Sequence, residues 1–201
     1  MKKILTALVV ATGLLLTGCS NVDAALTLGD TKITTAELQA DVEVILAERA
    51  KVDITQMQLD TGETLLRNQL QFQLLLAGYS EIAKELDIQV TSSEIAGRRA
   101  QIVEQSGGAE LLPRTLVAAS IVPAELDGFL RALIINEKLG QALVQTGTAE
   151  ADVQNRSQQL FVAKVNELKI KVNPRYGTWD ATTGQIVPAE AAGDVVTPSN
   201  E

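Results

Sequence analysis

Apolar residues recur every three or four positions through most of the chain, and short polar or glycine-containing breaks separate the runs. This period is that of an amphipathic α-helix. It predicts helices over about residues 34–49, 63–86, 91–105, 111–118, 123–145 and 149–168. We therefore expect a mainly α, multi-helix domain.

Local signals mark where several of these helices begin and end. The segments Thr34–Glu37 and Thr91–Glu94 are capping boxes, in which a Thr hydroxyl and a Glu carboxylate satisfy free amides at a helix start. The pair Gly107-Gly108 suits a left-handed C-terminal cap, and Pro123 suits a first helical turn. Helix boundaries are therefore predicted at these positions.

The longest predicted helix, Glu63–Leu86, contains no proline and would be about 36 Å long. Its broad apolar face must contact several other elements, which makes it the expected spine of the domain. That face comprises Leu66, Leu70, Phe72, Leu74, Leu75, Leu76, Tyr79, Ile82 and Leu86.

Two short strands are predicted near the ends of the helical region. One is Ala24–Leu28, before the turn pair Gly29-Asp30, and the other is Lys169–Val172, where polar and apolar residues alternate. Lone strands are not stable in water, so we expect these two to pair as a short two-stranded sheet. The helical domain would span residues 19–180, and residues 181–201 have the composition of a disordered tail.

The first residues have the pattern of a bacterial lipoprotein signal peptide. Lys2 and Lys3 precede an uncharged, mostly apolar run that is too short to span the roughly 30 Å of a bilayer core. The run ends in Leu16-Thr17-Gly18-Cys19, which resembles the lipobox at a lipoprotein cleavage site.

This resemblance implies that residues 1–18 are removed and that Cys19 becomes the lipidated first residue. A diacylglyceryl group supplies two acyl chains, the number that gives stable anchoring. We therefore expect the protein on the extracytoplasmic face of the cell membrane. The alternative is an ordinary signal peptide with an incidental cysteine after it.

Composition restricts the chemistry. The chain has no histidine and one cysteine, which excludes Ser-His-Asp hydrolysis, Cys-His catalysis, His-ligated zinc and an internal disulfide. A net charge of −8 argues against nucleic-acid binding, and no glycine-rich phosphate loop is present. No cofactor or metal is expected.

Two groups of charged residues were candidates for chemistry. Glu81 and Glu85 lie four residues apart on the longest helix, but Lys84 beside them favours a solvated surface with ion pairs. Arg98-Arg99 is too small a basic group to follow a phosphate backbone and is expected on a helix surface.

Tyr176 and Trp179 concentrate two of the few aromatic residues beside Pro174. They could form a platform that contacts peptides, or they could pin the closing segment onto the helical body. The second interpretation is favoured.

Three stretches together resemble the helical module of SurA- and PrsA-type extracytoplasmic chaperones, a module shared with trigger factor. They are Ile33–Leu38 after the strand and turn, Leu86–Ile95 between two helices, and Val172–Asp180 at the closing strand. The resemblance covers most of residues 24–180. It implies a SurA N-terminal-like helical domain that binds unfolded or newly exported polypeptides.

One departure from this family affects the expected activity. Many members insert a parvulin prolyl-isomerase domain before the last helix, where this chain has only Thr146-Gly147-Thr148. The parvulin site also uses histidines. We therefore expect a chaperone-like protein without isomerase activity. An adaptor lipoprotein that holds one folded partner is the alternative, and an enzyme is the least favoured class.

Overall fold

The computed structural model describes residues 23–189, which form a mainly helical domain with a small antiparallel sheet. The predicted signal peptide (1–18), Cys19 and the last twelve positions of the predicted tail (190–201) lie outside the described residues. The α-helices of the described part are α1 (Thr35–Arg49), α2 (Gly62–Glu85), α3 (Ser92–Gln105), α4 (Leu112–Ala118), α5 (Leu126–Gln145) and α6 (Val153–Glu167). Short 3-10 turns, Pro123–Glu125 and Glu150–Asp152, precede α5 and α6. The strands of the described part are β1 (Ala24–Leu28), β2 (Thr31–Thr34), β3 (Lys171–Val172), β4 (Thr178–Asp180) and β5 (Gln185–Val187).

Both predicted capping boxes are confirmed. The Thr34 hydroxyl accepts a hydrogen bond from the Glu37 amide at 3.1 Å, and the Glu37 carboxylate accepts one from the Thr34 amide at 2.7 Å. Thr91 and Glu94 repeat the arrangement at the start of α3, at 3.2 and 2.8 Å. These reciprocal bonds satisfy donors that a helix start leaves free.

The predicted pairing of the first and last strands is confirmed, but the two-stranded sheet is wrong. β1 pairs with β3 through Leu26 and Val172, and it also pairs with β2 on its other side. The turn between β1 and β2 places Gly29 at a φ of +55°, a conformation that glycine adopts without strain. β2 escaped prediction because it contains a single buried apolar residue, Ile33.

The predicted tail boundary after residue 180 needs correction, because β4 and β5 form a hairpin across it. The Asp180 carboxylate accepts hydrogen bonds from the Thr182 and Thr183 amides at 2.8 and 3.3 Å. Gly184 adopts a φ of +73°, and Ile186 is buried. Residues that resemble a tail by composition therefore form an ordered turn, closed by the side chain of Asp180.

The core divides into three clusters. The main cluster packs the sheet and the hairpin against α1, α2, α5 and α6, and its largest buried members include Leu26, Leu28, Leu38, Leu70, Leu74 and Val165. A second cluster joins α3, α4 and α5. The third is small and comprises Ile45, Leu65 and Val122, with Val42 against it.

The inner face of α2 departs from the predicted one at both ends. Leu86 was expected to be buried, but it follows the last residue of the helix and is 51% exposed. Leu65, which was not predicted, is buried at the start of the helix. Gln69 is also buried and donates a hydrogen bond to the backbone oxygen of Ser120 at 2.7 Å.

Candidate functional site

The charged residues that the sequence singled out form ion pairs at the surface. Glu81 pairs with Lys84 as expected, whereas Glu85 pairs with Lys164 of α6. Hydrogen bonds from Lys164 to Glu167 and Glu85 raise the pKa of its ammonium group. Lys164 therefore lies between two carboxylates, Glu85 and Glu167, whereas Glu81 pairs separately with Lys84.

Arg98 and Arg99 lie on α3 and reach α5. Arg98 pairs with Glu137, and Arg99 pairs with Asp127 at 2.6 Å. Both guanidinium groups therefore connect the two helices across their exposed edge. Pairs of this kind at a solvated surface contribute little to stability.

Tyr176 and Trp179 attach the hairpin to the helical body, as the favoured interpretation predicted. Tyr176 is buried in the main core, and the partly buried Trp179 packs against the same core. The Trp179 indole Nε1 donates a hydrogen bond to Asn166 Oδ1 of α6 at 2.7 Å. Neither ring forms an exposed platform.

Side-chain amides hold the backbone of this hairpin. Gln71 of α2 donates through Nε2 to the Gly184 oxygen at 3.2 Å and accepts through Oε1 from the Ile186 amide at 2.8 Å. Gln158 of α6 donates to the Thr183 oxygen at 3.4 Å. A carboxamide carries both a donor and an acceptor, so it can pair with an extended backbone as a neighbouring strand does.

A groove lies beside this region, between α5 and α6. Its volume is about 600 Å³. It is lined by Tyr79, Asn136, Glu137, Gly140, Gln141, Val144, Glu150, Val153, Gln154, Ser157 and Gln158. The volume lies within the range of sites that bind small molecules.

The floor of the groove is fixed by packing between helices. Gly140 lets α5 approach α6, since a Cβ at that position would lie 3.0 Å from Val153. The Tyr79 hydroxyl donates to Asn136 Oδ1 at 3.0 Å, and its ring packs on Phe161 with centroids 5.1 Å apart. Burial raises the pKa of Tyr79, which keeps its hydroxyl a donor at neutral pH.

The rim of the groove combines amides with one exposed apolar residue and carboxylates. Gln141, Gln154 and Gln158 are exposed, and Val144 is 41% exposed among them. Glu137 is held by Arg98, whereas Glu150 makes no ion pair with any described residue. The groove therefore offers donors, acceptors and an apolar contact, with an uncompensated negative charge at one end.

Within residues 23–189, no group of three or more carboxylate, thiol or imidazole side chains is placed to hold a metal ion. No helix in that range is long and apolar enough to cross a membrane.

No residue that lines this groove was predicted from the sequence to contact a ligand or client. A usable signal was the run of amides on α6, Gln154, Asn155, Gln158 and Gln159, which is unusually polar for a helix that packs on a core. The groove itself depends on how closely α5 and α6 approach, which a pattern of polar and apolar positions does not specify.

The chain matches no protein-family model, no curated protein and no solved structure.

Proposed function

We propose that this protein is a lipid-anchored, extracytoplasmic chaperone-like protein that binds unfolded or newly exported polypeptides without prolyl isomerase catalysis. The observation that carries this proposal is the α5–α6 groove, where amide side chains surround the exposed Val144. An extended polypeptide offers a backbone donor and acceptor at nearly every residue, which carboxamides can pair with regardless of sequence.

The hairpin supports this mode of binding. Gln71 and Gln158 contact the backbone of residues 183–186 through their amides, and Gln158 also lines the groove. Gln158 of α6 therefore already binds backbone of this chain, at the turn of the hairpin. A client in the groove would meet equivalent groups a short distance away.

The proposal is tested by replacing Val144 with Asp in the groove. A charge beside the amides would oppose burial of an apolar client side chain, and we expect about tenfold weaker binding, equivalent to about 1.4 kcal/mol. Binding of a fluorescently labelled unfolded polypeptide, and suppression of its aggregation by light scattering, measure the effect.

Val44→Asp is the matched control, because Val44 is 38% exposed on α1 and lies outside the groove. It should leave client binding unchanged. Equal binding by both variants would reject the groove as the site. If stoichiometric wild-type protein neither slows aggregation nor crosslinks to exported chains, the chaperone function itself is wrong. A single dominant species in crosslinking would instead identify an adaptor lipoprotein with one folded partner.

A further inference from the structure

Away from the groove, one amide group serves two carboxylates from different elements. Gln73 of α2 donates through Nε2 to Asp41 Oδ2 of α1 at 3.0 Å, and through the same nitrogen to Glu125 Oε1. Glu125 ends the 3-10 turn that precedes α5. Its second oxygen, Oε2, is buried and has no hydrogen-bond partner among the described residues.

The charged groups that act on this pair are carboxylates. Glu37, one turn earlier on α1, raises the pKa of Asp41, and Asp41 raises the pKa of Glu125. Burial is the larger cause in both cases, and the bond from Gln73 opposes it in part. Both carboxyl groups therefore hold a proton at a higher pH than an exposed carboxyl does.

The cations on the neighbouring elements are engaged elsewhere. Arg49, at the end of α1, donates to the backbone oxygen of Asp60 at 2.7 Å and to Ser120 Oγ at 3.1 Å. Arg114 of α4 acts on Asp53, in the loop that follows α1. The group that α2 contributes to the pair is therefore the neutral amide of Gln73. If both carboxyls were ionised, both would accept hydrogen bonds from the same amide nitrogen.

Buried core residues flank this junction. Leu38, three residues before Asp41, and Leu74, next to Gln73, belong to the main cluster, and Leu126, next to Glu125, belongs to the second cluster. This packing is the source of the burial that opposes ionisation of the two carboxyls.

We propose that Asp41 and Glu125, joined through Gln73, form a proton-operated latch between α1 and the start of α5. When both carboxyls are ionised, they repel each other and one buried oxygen remains unpaired. Uptake of one proton removes the repulsion and turns an acceptor into a donor. The latch is then tighter in acid and looser at neutral pH.

The sign of the effect on stability follows from linkage. A carboxyl whose pKa is raised by folding binds more protons in the folded than in the unfolded state, so the free energy of unfolding falls as pH rises. The fall begins near the ordinary carboxyl pKa and is complete above the raised, folded-state pKa. Most other carboxyls with an altered pKa in this chain, such as Glu37, are shifted downward and have the opposite effect.

The latch can be tested on the purified full chain by carbon-detected NMR of side-chain carboxyls. We expect the titration midpoints of Asp41 and Glu125 to lie above the ordinary values of their own residue types, about 3.9 for Asp and 4.3 for Glu. Amide protection factors in α1 should rise on acidification through those midpoints, by about tenfold for each pKa unit of upward displacement. Midpoints at or below the ordinary values would overturn the proposal.

Variants separate the latch from general acid effects. Glu125→Gln and Asp41→Asn each remove the like charge, so they should raise α1 protection at neutral pH and reduce its increase in acid, to which the remaining buried carboxyl still contributes. Glu43→Gln, at an exposed position of α1, should retain the wild-type profile. If α1 protection had the same pH dependence in Glu125→Gln and in Glu43→Gln, the latch would be contradicted. If a variant fails to fold, the NMR titration of Asp41 and Glu125 in the wild-type chain tests the proposal alone.

Discussion

At the scale of single residues, replacing glycine by alanine is expected to have opposite effects on stability at two helical positions. Gly78 of α2 is buried against Phe161, and an added Cβ would lie 2.5 Å from that ring. Gly97 of α3 has nothing within 4 Å of an added Cβ. The first glycine allows α2 and α6 to pack, whereas the second only weakens its helix.

Gly78→Ala should therefore lower the free energy of unfolding by about 1–3 kcal/mol through overpacking. Gly97→Ala should raise it by about 0.5–1 kcal/mol, because alanine favours the helix. Denaturant unfolding followed by circular dichroism measures both. A stabilised Gly78→Ala protein would show that α6 does not pack on α2 as described.

At the scale of secondary-structure elements, the β4–β5 hairpin depends on a few side chains for its position. Trp179→Ala removes a partly buried ring and its hydrogen bond to Asn166. We expect a loss of about 2 kcal/mol, which lowers the melting temperature by about 4–8 °C in a domain of this size. Client binding by the groove should not change selectively.

Trp179→Phe is the intermediate variant, since it keeps one aromatic ring but loses the indole N–H and the fused second ring. Its cost should lie between about 1 kcal/mol, the usual contribution of one hydrogen bond, and the cost of Trp179→Ala. Thermal unfolding of both variants measures how much the remaining ring contributes. A selective loss of client binding in Trp179→Ala, with an unchanged melting temperature, would favour the peptide-platform interpretation instead.

The elements that the sequence predicts well are those whose signals are local. The two capping boxes lie within four residues each, and the long α2 repeats its period over several turns, so their places could be read from the sequence. β2 and β5 could not, because each is three or four residues long with one buried residue, although each pairs with the strand just before it, β1 and β4. The groove and the Asp41–Glu125 pair were missed for a different reason: their members meet only when separate helices pack.

At the scale of the whole molecule, the direction of α6 places the groove away from the sheet. Its first residues, Val153–Gln158, line the groove, and its last residues lead to β3 in the sheet. Fifteen residues of helix extend over about 22 Å. β1, in contrast, begins five residues after Cys19, a distance of at most about 18 Å of extended chain.

If Cys19 carries the lipid, as proposed, the start of β1 lies within about 18 Å of the lipidated residue. Cys19→Ala removes the thiol that would accept the diacylglyceryl group. We expect the precursor to remain uncleaved, to incorporate no labelled palmitate and to leave the lipidated membrane fraction. Fractionation and palmitate labelling of cells that express either form provide the measurement.

The domain itself should fold as in the wild type, because every described core residue, from Ala24 onward, is unchanged in this variant. The purified variant should therefore bind clients as the wild type does, while exported clients are protected less well in cells, since the groove is no longer held where they emerge. Palmitate incorporation by Cys19→Ala would reject the lipid anchor. Unchanged protection in cells would show that the groove acts without being held at the membrane.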